Sequence, residues 1–256
     1  MTFFKIKYSF KFVILSIFLA LLLTIIPIMG LKNKDVYILI MHCYGTLNVN
    51  LIDKIYPITF WILPQIIVLS ILGNCIYKDF NKNAAFIFSR ADSRTKLLLY
   101  KIKYIFIWIN EFFIISFLTI IILSLMLGYS FSNYYNIFIL YINLVMYYFF
   151  IVILTNVLSL FMKPIYAIYT ELIFKYMFLM ISFNIAKSGT SLVAIIKYFP
   201  TSQGILNIHS NIIDSTIDGW FRISGFTINF SLIYLLIGII ITIIIGIYKF
   251  KNTEFI

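Results

Sequence analysis

Charge is scarce in this chain. Only 11% of its 256 residues are Asp, Glu, Lys or Arg, against about 25% in average soluble domains. Hydrophobic residues make up 62%, which excludes a soluble globular domain. Acid is the scarcer sign, with 9 Asp and Glu against 20 Lys and Arg and a net charge of +11. Histidine is limited to His42 and His209, with no HExxH or other metal-spaced cluster, so no metal site is expected. Cysteine is limited to Cys43 and Cys75, without a CxxC. The two are expected on opposite sides of a membrane, unable to pair. GxxxxGK[ST] is absent, so the chain does not itself cradle ATP phosphates. GxSxG is absent as well. No catalytic constellation stands out, so neither enzyme activity nor a cofactor of its own is expected.

What is present is a series of long apolar runs, the mark of an all-α polytopic membrane protein. Six transmembrane helices are expected, at about 12–30, 57–77, 104–127, 137–162, 165–186 and 226–248, forming one domain over 1–256. Pro64 is expected to kink the second, since it lacks a backbone N–H. The basic start before the first span resembles a signal peptide, but no small-x-small site follows it, so the span is expected to remain. Two outer segments are expected. The first, 31–56, suits a short helix resting on the surface around the apolar Val36–Met41 stretch. The second, 187–225, contains SLVAIIKYF, too short to span, and suits a re-entrant or surface-lying helical turn.

The basic residues lie at the ends of the apolar runs, where they orient the spans and meet anionic lipid, so the net charge does not point to nucleic acid. Lys5, Lys7, Lys11, seven basic residues of 78–103, Lys163, Lys249 and Lys251 fall on one side. Lys32, Lys34, Lys54, Lys187, Lys197 and Arg222 fall on the other. The excess on the first side places both termini in the cytoplasm. No internal repeat is visible, which weighs against secondary transporters built from inverted repeats. The abundance of Ile, Phe, Tyr, Lys and Asn matches an AT-rich bacterial genome, and the expected location is a bacterial plasma membrane.

Segment 78–103 is the one long polar island. Lys78, Lys82, Arg90, Arg94, Lys96, Lys101 and Lys103 stand against Asp79 and Asp92, interleaved with Ala85, Phe86, Phe88, Ala91 and Leu97 to Leu99. Part of it can form an amphipathic cytoplasmic helix at the membrane surface. The simple reading is an anchor for anionic lipid; the functional one is a docking handle for a cytosolic partner, continuous with span three.

Three ionisable residues fall inside spans. Glu171 and Lys175, four apart in span five, share a helix face in the favourable order. They are either a structural pair at a helix contact, with Glu171 alternatively reaching the cytoplasmic headgroups, or a polar point lining a substrate route. Glu111, beside Asn110 about two turns into span three, is shallow enough to meet water or a cytoplasmic Lys. Asn143, Asn156 and Asn229 are explained by hydrogen bonds between helices.

The W-x-x-P of Trp61–Pro64, followed by F-S-R-x-D-S-R-x-K-x-x-x-x-K from Phe88 to Lys101, resembles the type-two class of ABC exporter permeases. The nearest likeness is to small Gram-positive permeases that export, or give immunity to, bacteriocins, lantibiotics and cytolytic peptides. The match rests on Arg90, Ser93, Arg94, Lys96 and Lys101, and in outline covers the whole chain. A Trp often found two or three residues after the Ser-Arg pair is replaced here by Lys96 and Leu97. The resemblance implies a permease that dimerises with itself or a sister chain and binds two separate ATPase subunits, which hold ATP and Mg. The loop helix, with Arg90, Asp92, Ser93, Arg94 and Lys96, would couple ATPase closure to the spans. An amphipathic or hydrophobic substrate would leave outward, with Glu111, Glu171 and Lys175 along its path. The rival reading is a stand-alone immunity or sensor protein that binds a toxin or regulator without ATP.

Overall fold

The computed structural model describes residues 3–31, 34–47, 55–78, 94–188, 191–211 and 222–251. It is an all-helical bundle, and among the described residues six helices are long and apolar enough to cross a membrane. These are α1 (Phe3–Gly30), α3 (Ile55–Leu72, continued as a helical turn to Lys78), α4 (Arg94–Met126), α5 (Tyr134–Leu158), α6 (Pro164–Ser188) and α7 (Ile228–Lys251). A short helix, α2 (Val36–Ile40), runs on into a π-helical turn, Met41–Gly45. The protein is thus a multi-pass helical membrane protein.

Helix α5 is the axis of the bundle. It packs against α3, α4, α6 and α7, and most of its residues are buried. Helix α1 lies along α4, with Phe12 against the Trp108 and Phe112 rings at 6.4 and 6.0 Å. The outward faces of α1, α4, α6 and α7 keep Ile, Leu, Phe and Tyr exposed. Lipid is as apolar as Leu, so these faces lose nothing by staying outside, and polar residues collect within.

The segment 31–56 differs from the sequence expectation. Helix α2 does not rest on the surface. Val36, Leu39, Ile40 and Met41 are fully buried, wedged among α1, α4 and α5. A five-residue apolar helix is too short to span, and burying it against the bundle removes its side chains from water. Its backbone is satisfied locally. The Asp35 carboxylate accepts from the Tyr37 N–H at 2.7 Å and from Asn133 Nδ2 at 3.1 Å, and it is bonded by the Ser132 hydroxyl. Such capping supplies the acceptors that a helix start lacks.

The described part of 187–225, chiefly 191–211, is re-entrant. It makes short 3₁₀ turns at Ser191–Tyr198, Pro200–Gly204 and Leu206–Ile208, and every residue from Thr201 to His209 is buried. Gly204 lies against the ring of Tyr147, where a Cβ would come within 2.4 Å of the ring. Tyr147 lies roughly 20 Å along α5 from Tyr134 at the helical rise. The segment therefore descends about half-way into the bundle.

Helix α4 is described from Arg94 onward, so the stretch from Arg94 to Lys103 is continuous with span three, and the rest of the basic segment, with its expected surface helix, lies outside the described residues. Helix α3 contains Pro64 and is interrupted at Gly73 and Asn74. There the buried Asn156 carboxamide takes the place of one helical hydrogen bond: Nδ2 donates to the Leu72 carbonyl at 2.6 Å, and the Ile76 N–H donates to Oδ1 at 3.0 Å.

Candidate functional site: a polar centre between α3, α5 and α6

Helix α6 buries a single narrow stripe: Ala167, Glu171, Lys175, Leu179 and Ser182. Its other faces leave Tyr166, Tyr169, Ile173, Phe174 and Met177 exposed. The stripe that meets the protein thus carries both charges, as expected where a charge facing hydrocarbon is too costly. Glu171 is 7% exposed and Lys175 4%, so Glu171 is enclosed by the bundle and does not extend to the headgroups.

The Lys175 ammonium stands over two rings, 4.6 Å from the Trp61 centroid on α3 and 5.0 Å from the Tyr147 centroid on α5. The negative faces of these rings offset part of the cost of a desolvated cation. Glu171 interacts electrostatically with Lys175, and also with Tyr147 and Tyr148. Gln65, one helical turn beyond Trp61 on α3, hydrogen-bonds Tyr148.

These groups do not satisfy one another. Lys175 Nζ, Glu171 Oε2 and Gln65 Oε1 are all buried without a hydrogen-bond partner. The expected Glu171–Lys175 pair is therefore a shared face and a shared field, not a hydrogen-bonded ion pair. Buried polar atoms are nearly always bonded, and an unbonded buried charge is costly. Asn143 Oδ1, Ser202 Oγ and Asn207 Oδ1 are likewise buried without a hydrogen-bond partner.

The re-entrant segment adjoins this centre through Gly204 on the Tyr147 ring and through its packing on α6. Above it lies a second polar cluster. Gln203 Nε2 donates to the Lys197 and Phe199 carbonyls at 2.6 and 3.1 Å, which fixes its Oε1 toward the Ser231 hydroxyl at 2.6 Å. Asn143 Nδ2 donates to the Gln203 carbonyl at 3.0 Å. His209 is stacked on Phe226 with ring centroids 4.0 Å apart. Its Nδ1 lies 3.0 Å from the Leu206 carbonyl and its Nε2 2.7 Å from Ser231 Oγ, whose one proton is donated to Gln203 Oε1. Burial lowers His209 from its ordinary value to about 4, against the opposing pull of the Leu206 and Ile205 carbonyls. This cluster pins the segment to α7.

Of the other residues singled out by sequence, Arg94 opens α4, Lys96 is exposed on its first turn, and Arg90, Asp92 and Ser93 lie outside the described residues. Glu111 is half-buried on α4; its neighbour Asn110 accepts from the Tyr141 hydroxyl of α5 at 2.9 Å. Neither Lys96 nor Glu111 is brought to the Lys175 centre by any contact described above. Sequence reasoning missed Trp61 as a partner of Lys175 and Gln65 as a partner of Tyr148, although their spacing of four on a span was visible. It missed Tyr147 and Gln203 altogether, because nothing local marks either.

The chain belongs to a family described as a protein of unknown function, DUF2705, whose model matches residues 37–256. The match takes in α2, the polar centre and the re-entrant segment, and begins after span one. No curated protein and no solved structure matches the chain.

Proposed function

We propose that this chain is the permease subunit of a type-two class ABC exporter in a bacterial plasma membrane, moving an amphipathic peptide or hydrophobic compound. Two separate ATPase subunits holding ATP and Mg would dock on the basic segment, and the permease would work as a dimer with itself or a sister chain. One observation carries this reading: α4 is a single helix from Arg94, inside the basic segment, to Met126 at the far end of the bundle.

Its far end is fastened to the buried first segment. Beyond α4, the Ser130 N–H donates to the Lys34 carbonyl at 2.8 Å, and the Val36 N–H donates to the Ser130 carbonyl at 3.0 Å. Within the bundle, the Tyr44 hydroxyl bonds Ser116 of α4. A displacement applied at Arg94 is thus passed along a rigid element to the wedge formed by α2. Break the helix or the clamp, and the ATPase loses its lever.

The test is co-purification. The full chain, tagged at its C-terminus and solubilised gently from its native host, is expected to bring down an ATPase subunit in stoichiometric amount, and Arg94→Glu is expected to lose it while still inserting. Normal ATPase association by the Arg94→Glu chain overturns the coupling role. A chain that purifies without any nucleotide-binding partner overturns the exporter reading in favour of a stand-alone immunity or sensor protein.

A further inference from the structure

The structure assigns the outward face of α6 as the surface on which a second copy of this chain packs, with Tyr176 at its centre. This names an interface for the dimer proposed above and rests on the exporter reading for its purpose, but the packing itself requires no ATPase.

Two spans with open outer faces differ in what they expose. Along α7 that face is Ile233, Leu236, Ile237, Ile240, Ile241 and Ile244, hydrocarbon that lipid covers without loss. Along α6 it is Tyr166, Tyr169, Ile173, Tyr176 and Met177. Tyr166 and Tyr169 lie in the first two turns of α6, where a phenol reaches the membrane surface and joins the interfacial belt. Tyr176 does not. It is the thirteenth of the 25 residues of α6, about 18 Å from either end at the helical rise, farther than its side chain extends. It is 48% exposed, and its hydroxyl has no hydrogen-bond partner among the described residues. Among those residues, the exposed tyrosines of the other spans, Tyr100, Tyr134, Tyr135 and Tyr248, all lie within two turns of a helix end.

Other hydroxyls on the spans are satisfied by their own helix. Ser70, Thr119 and Thr242 donate to the carbonyls four residues back, at 2.6, 2.8 and 2.7 Å. The ring of a tyrosine holds its hydroxyl too far from the backbone for that bond. An unbonded hydroxyl in hydrocarbon is costly, so Tyr176 is suited to a protein neighbour and not to lipid.

A second copy meets the requirement. Copies of one chain insert in one orientation, so residues of equal depth meet, and near a two-fold axis Tyr176 faces its own counterpart. A phenol both donates and accepts, so two of them satisfy each other. The chain already contains such a pair, with the Tyr100 and Tyr104 hydroxyls 2.6 Å apart. Glu171 and Lys175 are turned to the buried side of α6, so two identical outer faces bring no like charges together. Tyr166, Tyr169, Ile173, Tyr176 and Met180 follow at intervals of three and four residues, the spacing of a seam between nearly parallel helices.

The experiment uses the full chain carrying two different tags, co-expressed in its native host, with one cysteine added at a time. Ile173 lies nine residues from the Pro164 end of α6, and Ile241 ten from the Lys251 end of α7. Those ends are neighbours, since Lys249 stands 5.0 Å from the Phe161 ring. The two isoleucines are thus matched in depth, and both are exposed, at 59% and 52%. Oxidation in the membrane is expected to give at least about tenfold more doubly tagged dimer from Ile173→Cys than from Ile241→Cys or from the chain with its natural cysteines, because a disulfide needs Cα atoms within about 7 Å. In purified chain diluted with lipid, Tyr176→Phe is expected to weaken self-association about threefold, the effect of one hydrogen bond between membrane helices.

No excess of Ile173→Cys dimer over the Ile241→Cys control overturns the proposal. An Ile173→Cys adduct that holds a different protein in place of the second copy overturns the assignment of the occupant. Unchanged self-association of Tyr176→Phe overturns the role of its hydroxyl. Cross-linking here with no ATPase in the co-purification above removes the exporter reading and leaves the interface standing; an ATPase there with no cross-linking here does the reverse.

Discussion

Two buried polar clusters lie within one short stretch of this bundle, and they differ in how far they are bonded. Gln203, Ser231 and His209 are linked to one another and to the Lys197, Phe199 and Leu206 carbonyls at 2.6 to 3.1 Å, while Asn143 Oδ1 and Ser202 Oγ beside them are buried without a hydrogen-bond partner. Around Lys175, Glu171 and Gln65, three buried atoms have no hydrogen-bond partner. The first cluster holds an irregular segment where lipid provides no hydrogen bonds, as non-helical backbone at membrane depth requires. The second joins α3, α5 and α6 through the Lys175 ammonium over the Trp61 and Tyr147 rings.

The contrast is sharpest under mutation. Gly204→Val should have the largest effect, since a Cβ at 2.4 Å from Tyr147 pushes into both clusters at once. A loss of about 3 kcal/mol is expected, at the upper end for overpacking, seen as a lowered unfolding midpoint in detergent. Gln203→Leu should follow, at about 2 kcal/mol, because it strands the Lys197 and Phe199 carbonyls and the Ser231 hydroxyl. A Gln203→Leu chain as stable as the unaltered one would break the comparison.

Acid should act on the first cluster with a smaller effect. His209 is neutral when folded and titrates near 6.5 when unfolded. Its contribution is complete above the unfolded value and is lost as pH falls toward the folded value of about 4. Between about pH 7.5 and about pH 5.5 a loss of about 1 kcal/mol is expected. His209→Gln should flatten that part of the stability profile. Replacing both partners, Glu171→Leu with Lys175→Met, should do least, neutral or stabilising within about 1 kcal/mol, because it removes the buried pair whole and leaves neither charge alone. A loss in this double variant as large as that of Gln203→Leu would place both clusters in the same structural role.

The six spans were legible because the requirement for about 20 apolar residues is local and acts on each helix separately. The re-entrant character of 187–225 was half legible: SLVAIIKYF is apolar and too short. The burial of α2 was not, since a short apolar helix reads the same whether it lies on lipid or within a bundle. Nor was the break at Gly73, whose cause is Asn156 on another helix.

By itself the sequence determined that the chain is helical, crosses a membrane six times and places Glu171 and Lys175 on one face, because hydropathy and helical period are properties of neighbouring residues. Tertiary structure alone decided that this face looks inward onto Trp61 and Tyr147, that Gly204 reaches Tyr147, and that Gln203 is bonded to Ser231 of α7. Those outcomes depend on which side chains from distant helices meet at hydrogen-bonding range, and no spacing within one helix encodes that.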